Sequence, residues 1–448
     1  MPVVGIPTEI LRDLVGEDLN DTQLDDLLDR LGCDVEGIAE VNRLQCPQCA
    51  HLIERGTHED FLGVCPQCHS SAGDDPATFW KMLGRETVIR VELLPVRPDL
   101  FDVGGLARAI RGLLGKETGV PRYEAKDSGL VVEADEQMAS PDSYWPYIEC
   151  AVLRGVKLTD RLIRQIMKMQ EDVHWALGRD RKFASIGIYD LEGLEGPIAF
   201  RPVGPTELKF VPLASTDGKA VTPKEILEHH PKGRAYADHL ANFKSYPLLI
   251  DDNGQVLSMP PIINSHETAL TTKATDLFID VTGIGPRPVA KSMNVVTSSL
   301  LELLPGSRLE TVTIVREGKR RATPDFTPQP FTLNPAATAK MIGMPLEKER
   351  VRELLTNMRH DAVIEGDRIA VQIPAYRNDI LHEVDLMEDI AIAIGLANIP
   401  RELVPSFTQA EERPERGAQR RARTTLNGLG YAEVMSLMLT NPADHYEK

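Results

Sequence analysis

Two cysteine pairs, Cys46-Pro47-Gln48-Cys49 and Cys65-Pro66-Gln67-Cys68, stand fifteen residues apart. Each CPxC turn aims two thiolates the same way, and two such turns can enclose one tetrahedral Zn2+ at about 2.3 Å per bond. Met1-Pro2-Val3-Val4-Gly5 lacks the charged start and apolar core of a signal peptide, and no apolar run reaches membrane-spanning length. The expectation is therefore a cytoplasmic chain with no membrane contact, in which paired cysteines bind metal rather than form disulfides. The segment has few large apolar residues of its own, which favours a closed structural zinc site over a catalytic one. Cys33 and Cys150 read as ordinary half-buried cysteines.

A second constraint lies in Arg377-Asn378-Asp379-Ile380-Leu381-His382-Glu383-Val384-Asp385-Leu386-Met387-Glu388-Asp389. On a helix, Asp385, Glu388 and Asp389 fall at i, i+3 and i+4 and share a face, where like charges repel. A metal ion or a basic partner would relieve that repulsion. The other reading is a solvated acidic helix start, favoured by the helix dipole. Met387, Ile390, Ala391 and Ile394 form the stripe that would be buried.

The net charge of −17 excludes nucleic-acid binding by overall attraction and leaves only local patches. One runs from Arg154 to Lys182, the other from Arg413 to Arg423. Either could equally be a solvated helix face.

At 448 residues the chain should hold two to four domains. The pattern predicts a multidomain α+β protein. An N-terminal α+β domain, 1–115, carries the zinc-ribbon-like insert at 43–73. In it, a strand at Val88–Leu94 turns Ile89, Val91 and Leu93 inward. Residues 116–143 read as a polar linker with one strand, and 144–323 as a second α+β domain. Residues 324–400 read as a helix-rich, winged-helix-like module ending in the acidic helix. Residues 401–448 open a further domain with a basic helix and a strand at Ala432–Leu439, which the sequence does not finish.

Several segments in this order resemble the phenylalanyl-tRNA synthetase beta subunit of the archaeal and eukaryotic type. They include Leu31-Gly32-Cys33-Asp34-Val35-Glu36, Arg97-Pro98-Asp99-Leu100, His174 to Lys182, Gly187-Ile188-Tyr189-Asp190, Pro260 to Asn264, Phe278 to Gly283 and the acidic helix. The four-cysteine insert is not part of the family's pattern. The resemblance implies a tRNA-contacting first domain and a second domain that hydrolyses tyrosine wrongly attached to the phenylalanine tRNA. It also implies an alpha subunit, holding the aminoacylation site, in an alpha2beta2 heterotetramer that uses ATP as substrate. It further implies Mg2+ ligands at Asp379, Asp385, Glu388 and Asp389. Within the second domain, motif density singles out Asp190, Asn264, His266, Glu267, Asp280 and Thr282. Asp280 stands out because a carboxylate closing an apolar strand needs a partner. A reading of a different class is a non-catalytic tRNA-binding module or a stand-alone editing paralogue.

Overall fold

In the computed structural model of the chain, Asn20 and Gln23 form a reciprocal capping box that starts the helix Asp21–Arg30, and Gly32 at φ 81° ends it. Thr159 likewise caps Asp160–Ala176, whose Ile166, Met169 and Val173 are buried. The structure describes residues 3–447 apart from 74, 93, 94, 141, 142, 216, 217, 404, 405 and 407. Contacts divide it into two units, Met1–Ile399 and Pro400–Lys448.

The first unit holds three sheets. A four-stranded sheet has the order Val3–Pro7, Lys81–Glu92, Asp34–Gln45, Leu52–Gly56. Its two central strands are twelve residues long, so the cysteine insert grows from their far ends. The strand expected at Val88–Leu94 is one end of Lys81–Glu92; Leu93 and Leu94 lie outside the described residues.

A ten-stranded sheet follows. Its path is Ile263–Asn264, Val256–Met259, Tyr246–Ile250, Ile198–Val203, Ala125–Ala134, Arg308–Arg316, Tyr147–Arg154, Asp276–Gly283 and Ala184–Asp190, with Lys319–Thr323 paired beside Arg308–Arg316. Ala125–Ala134 runs parallel to both its neighbours. The one strand expected within 116–143 is thus Ala125–Ala134, tied into the middle of the sheet. Its polar Lys126, Asp127 and Ser128 mask a strand recruited by its neighbours.

Helix Pro286–Leu303 covers one face of this sheet, and helix Val103–Leu113 crosses it closely. A Cβ on Gly104 would sit 2.6 Å from the Ser299 carbonyl oxygen, so this crossing requires glycine. One apolar core runs without a break through Leu11, Leu24, Ile110, Ile166, Leu300, Leu354 and Ile390. The third sheet, Gln329–Leu333, Arg368–Ile373 and Asp361–Glu365, packs with helices Pro335–Ile342, Lys348–Asn357 and Glu383–Ile394.

Two Arg-x-Asp turns sit side by side in this core. Arg97 forks onto Asp99 at 2.9 and 2.9 Å, and Arg377 onto Asp379 at 2.8 and 2.6 Å. Arg108 stacks 3.8 Å over the Tyr376 ring between them.

The second unit contains helices Pro414–Gly428 and Pro442–Tyr446. The strand expected at Ala432–Leu439 does not form. Its apolar side chains, Val434, Met435, Leu437, Met438 and Leu439, are exposed. A strand is stable only when its backbone groups find a ladder partner, and the unit offers none among the described residues.

Candidate functional site

The four cysteine sulfurs lie within 4.8 Å of one another and are buried. The Cys46 and Cys68 sulfurs are 3.8 Å apart, and those of Cys49 and Cys65 are 3.7 Å apart. A tetrahedron with Zn–S bonds of about 2.3 Å has edges of about 3.8 Å, while a disulfide needs about 2.05 Å. The donor set therefore fits zinc. Both knuckles use the same turn. Ala50 and His69 each adopt φ 57°, and each donates its N–H to the carbonyl of Cys46 or Cys65 at 2.9 Å. Leu44 and Trp80 close a small apolar cluster around the sulfurs.

The acidic set is arranged differently. Asp389 is 2 % exposed and accepts from Arg377 at 3.1 Å and His360 at 2.6 Å. Asp379 is held in the Arg377 fork. Asp385 accepts from the N–H groups of Leu381 and His382 and so caps its own helix. Glu388 is exposed. Asp389 is paired inside the core and half-buried Asp379 is paired with the same arginine, so among the described residues the four carboxylates do not gather into one cluster. The i, i+3, i+4 spacing does not specify this, because a helix face about 100° wide can straddle the boundary between core and surface. Among the described residues the cysteines form the one metal-ligating cluster of three or more such side chains.

Half of the eight Lys and Arg residues from Arg154 to Lys182 are held in ion pairs. Arg154 pairs with Asp276 and Glu310, Arg161 with Glu86 and Glu9, Lys168 with Glu54, and Arg181 with Glu171.

A cavity of about 480 Å³ opens on the ten-stranded sheet, within the roughly 300–1,000 Å³ typical of ligand pockets. Four of the motif segments meet around it, contributing Arg181, Gly187, Tyr189, Pro261, Asn264 and Asp280. Asp280 pairs with Cys150 and Gly187 across the ladder. It is 1 % exposed. The Tyr189 hydroxyl donates to its Oδ1 at 2.5 Å and lies 2.8 Å from Ser258 Oγ. Burial pushes the Asp280 carboxyl up to about 7, against the opposing pull of the Tyr189 hydrogen bond. A Cβ at Gly187 would lie 1.9 Å from the Tyr189 hydroxyl and 2.3 Å from Asp280 Oδ1. Only glycine leaves room for this pair.

Of the other predicted residues, Asn264 and His266 line the cavity. Exposed Glu267 lies beside them and turns back to Ser265. Asp190 instead holds a turn by accepting from the Glu192 N–H, because the ladder alternates and puts it on a different face from Gly187. Thr282 is fully buried, and its hydroxyl has no hydrogen-bond partner among the described residues.

Sequence reasoning missed the cavity's polar frame. Buried Arg181 donates to the carbonyls of Pro261 and Ile262 at 3.2 Å each, and to Glu171 at 2.9 Å. Its position follows from three successive left-handed residues, Arg179, Asp180 and Arg181. His174 accepts from the Ile186 N–H at 2.7 Å, and burial pushes its imidazole down to about 4, so it is neutral. Asp172 also lines the cavity; burial raises it to about 7 and its Oδ2 has no partner among the described residues.

The family described as "tRNA synthetase B5 domain" matches residues 331–396. The chain is 38% identical to the phenylalanine–tRNA ligase beta subunit of Methanosphaera stadtmanae, over 80% of this chain and 64% of that protein. It is 40% identical to that of Methanococcoides burtonii, over 80% and 65%. It thus spans about two thirds of their length, 64% and 65%. A solved N-terminal fragment of the phenylalanyl-tRNA synthetase beta subunit from Pyrococcus horikoshii superposes with a TM-score of 0.73 at 31% identity, covering 88% of this chain and 99% of the fragment. Since the shared fold extends over nearly all of that solved chain at this level of identity, the chain belongs to the phenylalanine–tRNA ligase beta-subunit family.

Proposed function

We propose that the chain acts with an alpha subunit, as an alpha2beta2 assembly in the cytoplasm, in the ATP-dependent attachment of phenylalanine to its tRNA. Its own cavity hydrolyses tyrosine wrongly esterified to that tRNA. The observation that carries the second statement is the buried Tyr189–Asp280–Ser258 network lining a cavity of ligand size.

An apolar pocket made for phenylalanine rejects an added hydroxyl only weakly, on the order of 10²-fold. A second site that hydrogen-bonds the phenol discriminates in the strong direction, because phenylalanine would leave its buried polar groups unpaired. Asp280 is suited to accept the phenol proton. Asn264 and His266 lie where they could orient a water and the ester oxygen. Zinc, held by Cys46, Cys49, Cys65 and Cys68, would supply structure rather than chemistry.

Asp280→Ala should slow deacylation of tyrosyl-tRNA by roughly 5- to 150-fold, the value of a hydrogen bond of about 1–3 kcal/mol to a buried group. Phenylalanine charging by the assembled enzyme should change much less. Unchanged deacylation by the folded variant would remove Asp280 from the site and shift the role to His266 and Glu267.

The chain alone should form no phenylalanyl-tRNA. Charging should require the full-length subunit together with an alpha subunit. Charging by the isolated chain, measured with radiolabelled phenylalanine, would overturn this division of labour.

A further inference from the structure

The cavity has a second set of walls that the sheet does not provide. Leu44, Gln45, Cys49, Ala50, His51 and Leu52 all line it. These residues make up the first zinc knuckle and the ends of the strands that enter and leave it. Cys46 donates its N–H to the His51 carbonyl at 2.9 Å, so the knuckle's own turn fixes the His51 backbone. The second knuckle is anchored to the same site. Gln67 donates to the Tyr236 hydroxyl at 2.9 Å, and the Tyr236 ring lies 4.7 Å from the Arg181 guanidinium.

The two wall sets differ in chemistry. On the sheet, Asp280, Tyr189 and Ser258 are hydroxyl-binding groups. Beside the knuckle stand two ion clusters. Glu54 accepts from Lys168 and Arg43 at 2.7 Å each, and Glu171 pairs with Arg181 at 2.9 Å and Lys232 at 3.1 Å. Glu54, Lys168, Glu171, Arg181 and Lys232 all line the cavity along with His51. An amino-acid ester has one end of each kind: a side chain, and an ammonium next to an acyl ester.

We infer that the four-cysteine insert is a working wall of the cavity, and that His51 contacts the ammonium and ester end of the bound aminoacyl group. This rests on the proofreading reading above. It assigns the insert to recognition of the part that tyrosine and phenylalanine share, and Asp280 to the part in which they differ.

The test is binding of non-hydrolysable tyrosyl- and phenylalanyl-adenosine amides to the 448-residue chain, followed by calorimetry. His51→Ala should weaken both amides alike, by about 10-fold, as for one hydrogen bond. Asp280→Ala should weaken only the tyrosyl amide. Stripping zinc should weaken both by at least as much as His51→Ala, while hydrogen exchange shows 41–56 deprotected and 276–283 still protected. A His51→Ala variant that keeps its zinc and binds both amides as before, together with unaltered binding after zinc removal, would overturn the inference alone. Wild-type chain that binds neither amide would overturn the proofreading assignment and this inference with it.

Discussion

Asp389→Ala is expected to destabilise the module around residues 331–396 by about 3–5 kcal/mol, the cost of breaking a buried ion pair from one side. Asp389 and Arg377 are 2 % and 3 % exposed, and His360 is fully buried at 0 %. Burial alone would raise the Asp389 carboxyl; the Arg377 charge and then the His360 hydrogen bond reverse this and hold it well below the usual carboxylate range. Removing it leaves a buried guanidinium with Asp379 as its remaining carboxylate partner, which keeps the loss toward the lower end of the range. The sign with pH follows. A carboxyl depressed in the folded state gives stability above its unfolded value of about 3.9 and loses it as pH falls toward the folded value. His360 is lowered by burial, so it also penalises the fold as acid protonates the unfolded imidazole below about 6.5. The wild-type chain should therefore lose module stability on acidification, and the alanine variant should show a flatter acid limb. Hydrogen exchange across 360–394 in magnesium-free buffer measures both effects. A loss under about 1 kcal/mol would mean that Asp389 is not structural and would favour a metal-ligand role for it.

The sequence made the helices legible because their caps and stops are local. Asn20, Thr159 and Gly32 act within one turn of the backbone they terminate. The turn at Gly366-Asp367 is equally local, since it lies between the paired strands Asp361–Glu365 and Arg368–Ile373. The pairing of strands set by distant partners was not legible: one strand was expected within 116–143, but not its place in the middle of the sheet. Ala125–Ala134 has a polar sequence and is specified by Arg308–Arg316 and Ile198–Val203, far along the chain. Ala432–Leu439 shows the converse, an alternating pattern without a neighbour to pair with among the described residues.

The same division runs through the site. Asp280 was found because a carboxylate in an apolar strand is locally anomalous. Tyr189 and Ser258, which complete its hydrogen-bond network, come from other strands and carry no anomaly of their own. The burial of Asp389 was not legible because Arg377 lies twelve residues away and His360 twenty-nine. Periodicity can place residues on a helix face; it cannot say which partner that face meets.

The zinc site offers the second large effect. Cys46→Ser combined with Cys65→Ser removes one thiolate from each knuckle and should eliminate about one zinc per chain. The insert's own cluster consists of Leu44, Trp80 and the cysteines, with Ile53, Phe61, Leu62 and Phe79 only partly buried. Fully burying a side chain of the size of Leu gives about 1.5–3 kcal/mol, whereas ordering each residue costs about 1–2 kcal/mol in backbone entropy alone. Apolar burial cannot hold some thirty residues on these terms. Zinc–thiolate binding, at about 10–16 kcal/mol apparent in comparable small sites, can. The double serine variant should lose protection at Leu52–Gly56 and shift Trp80 fluorescence to the red, because that indole now donates to the Leu62 carbonyl inside the cluster at 2.8 Å. Protection at Asp276–Gly283 should persist, since the sheet is packed by separate clusters around Phe278 and Ile279. Metal analysis of protein purified without chelators gives the first number and hydrogen exchange the second. A double variant that keeps both its zinc and its protected hairpin would show that other ligands hold the metal. One that loses zinc but keeps the hairpin would show that the insert folds without it.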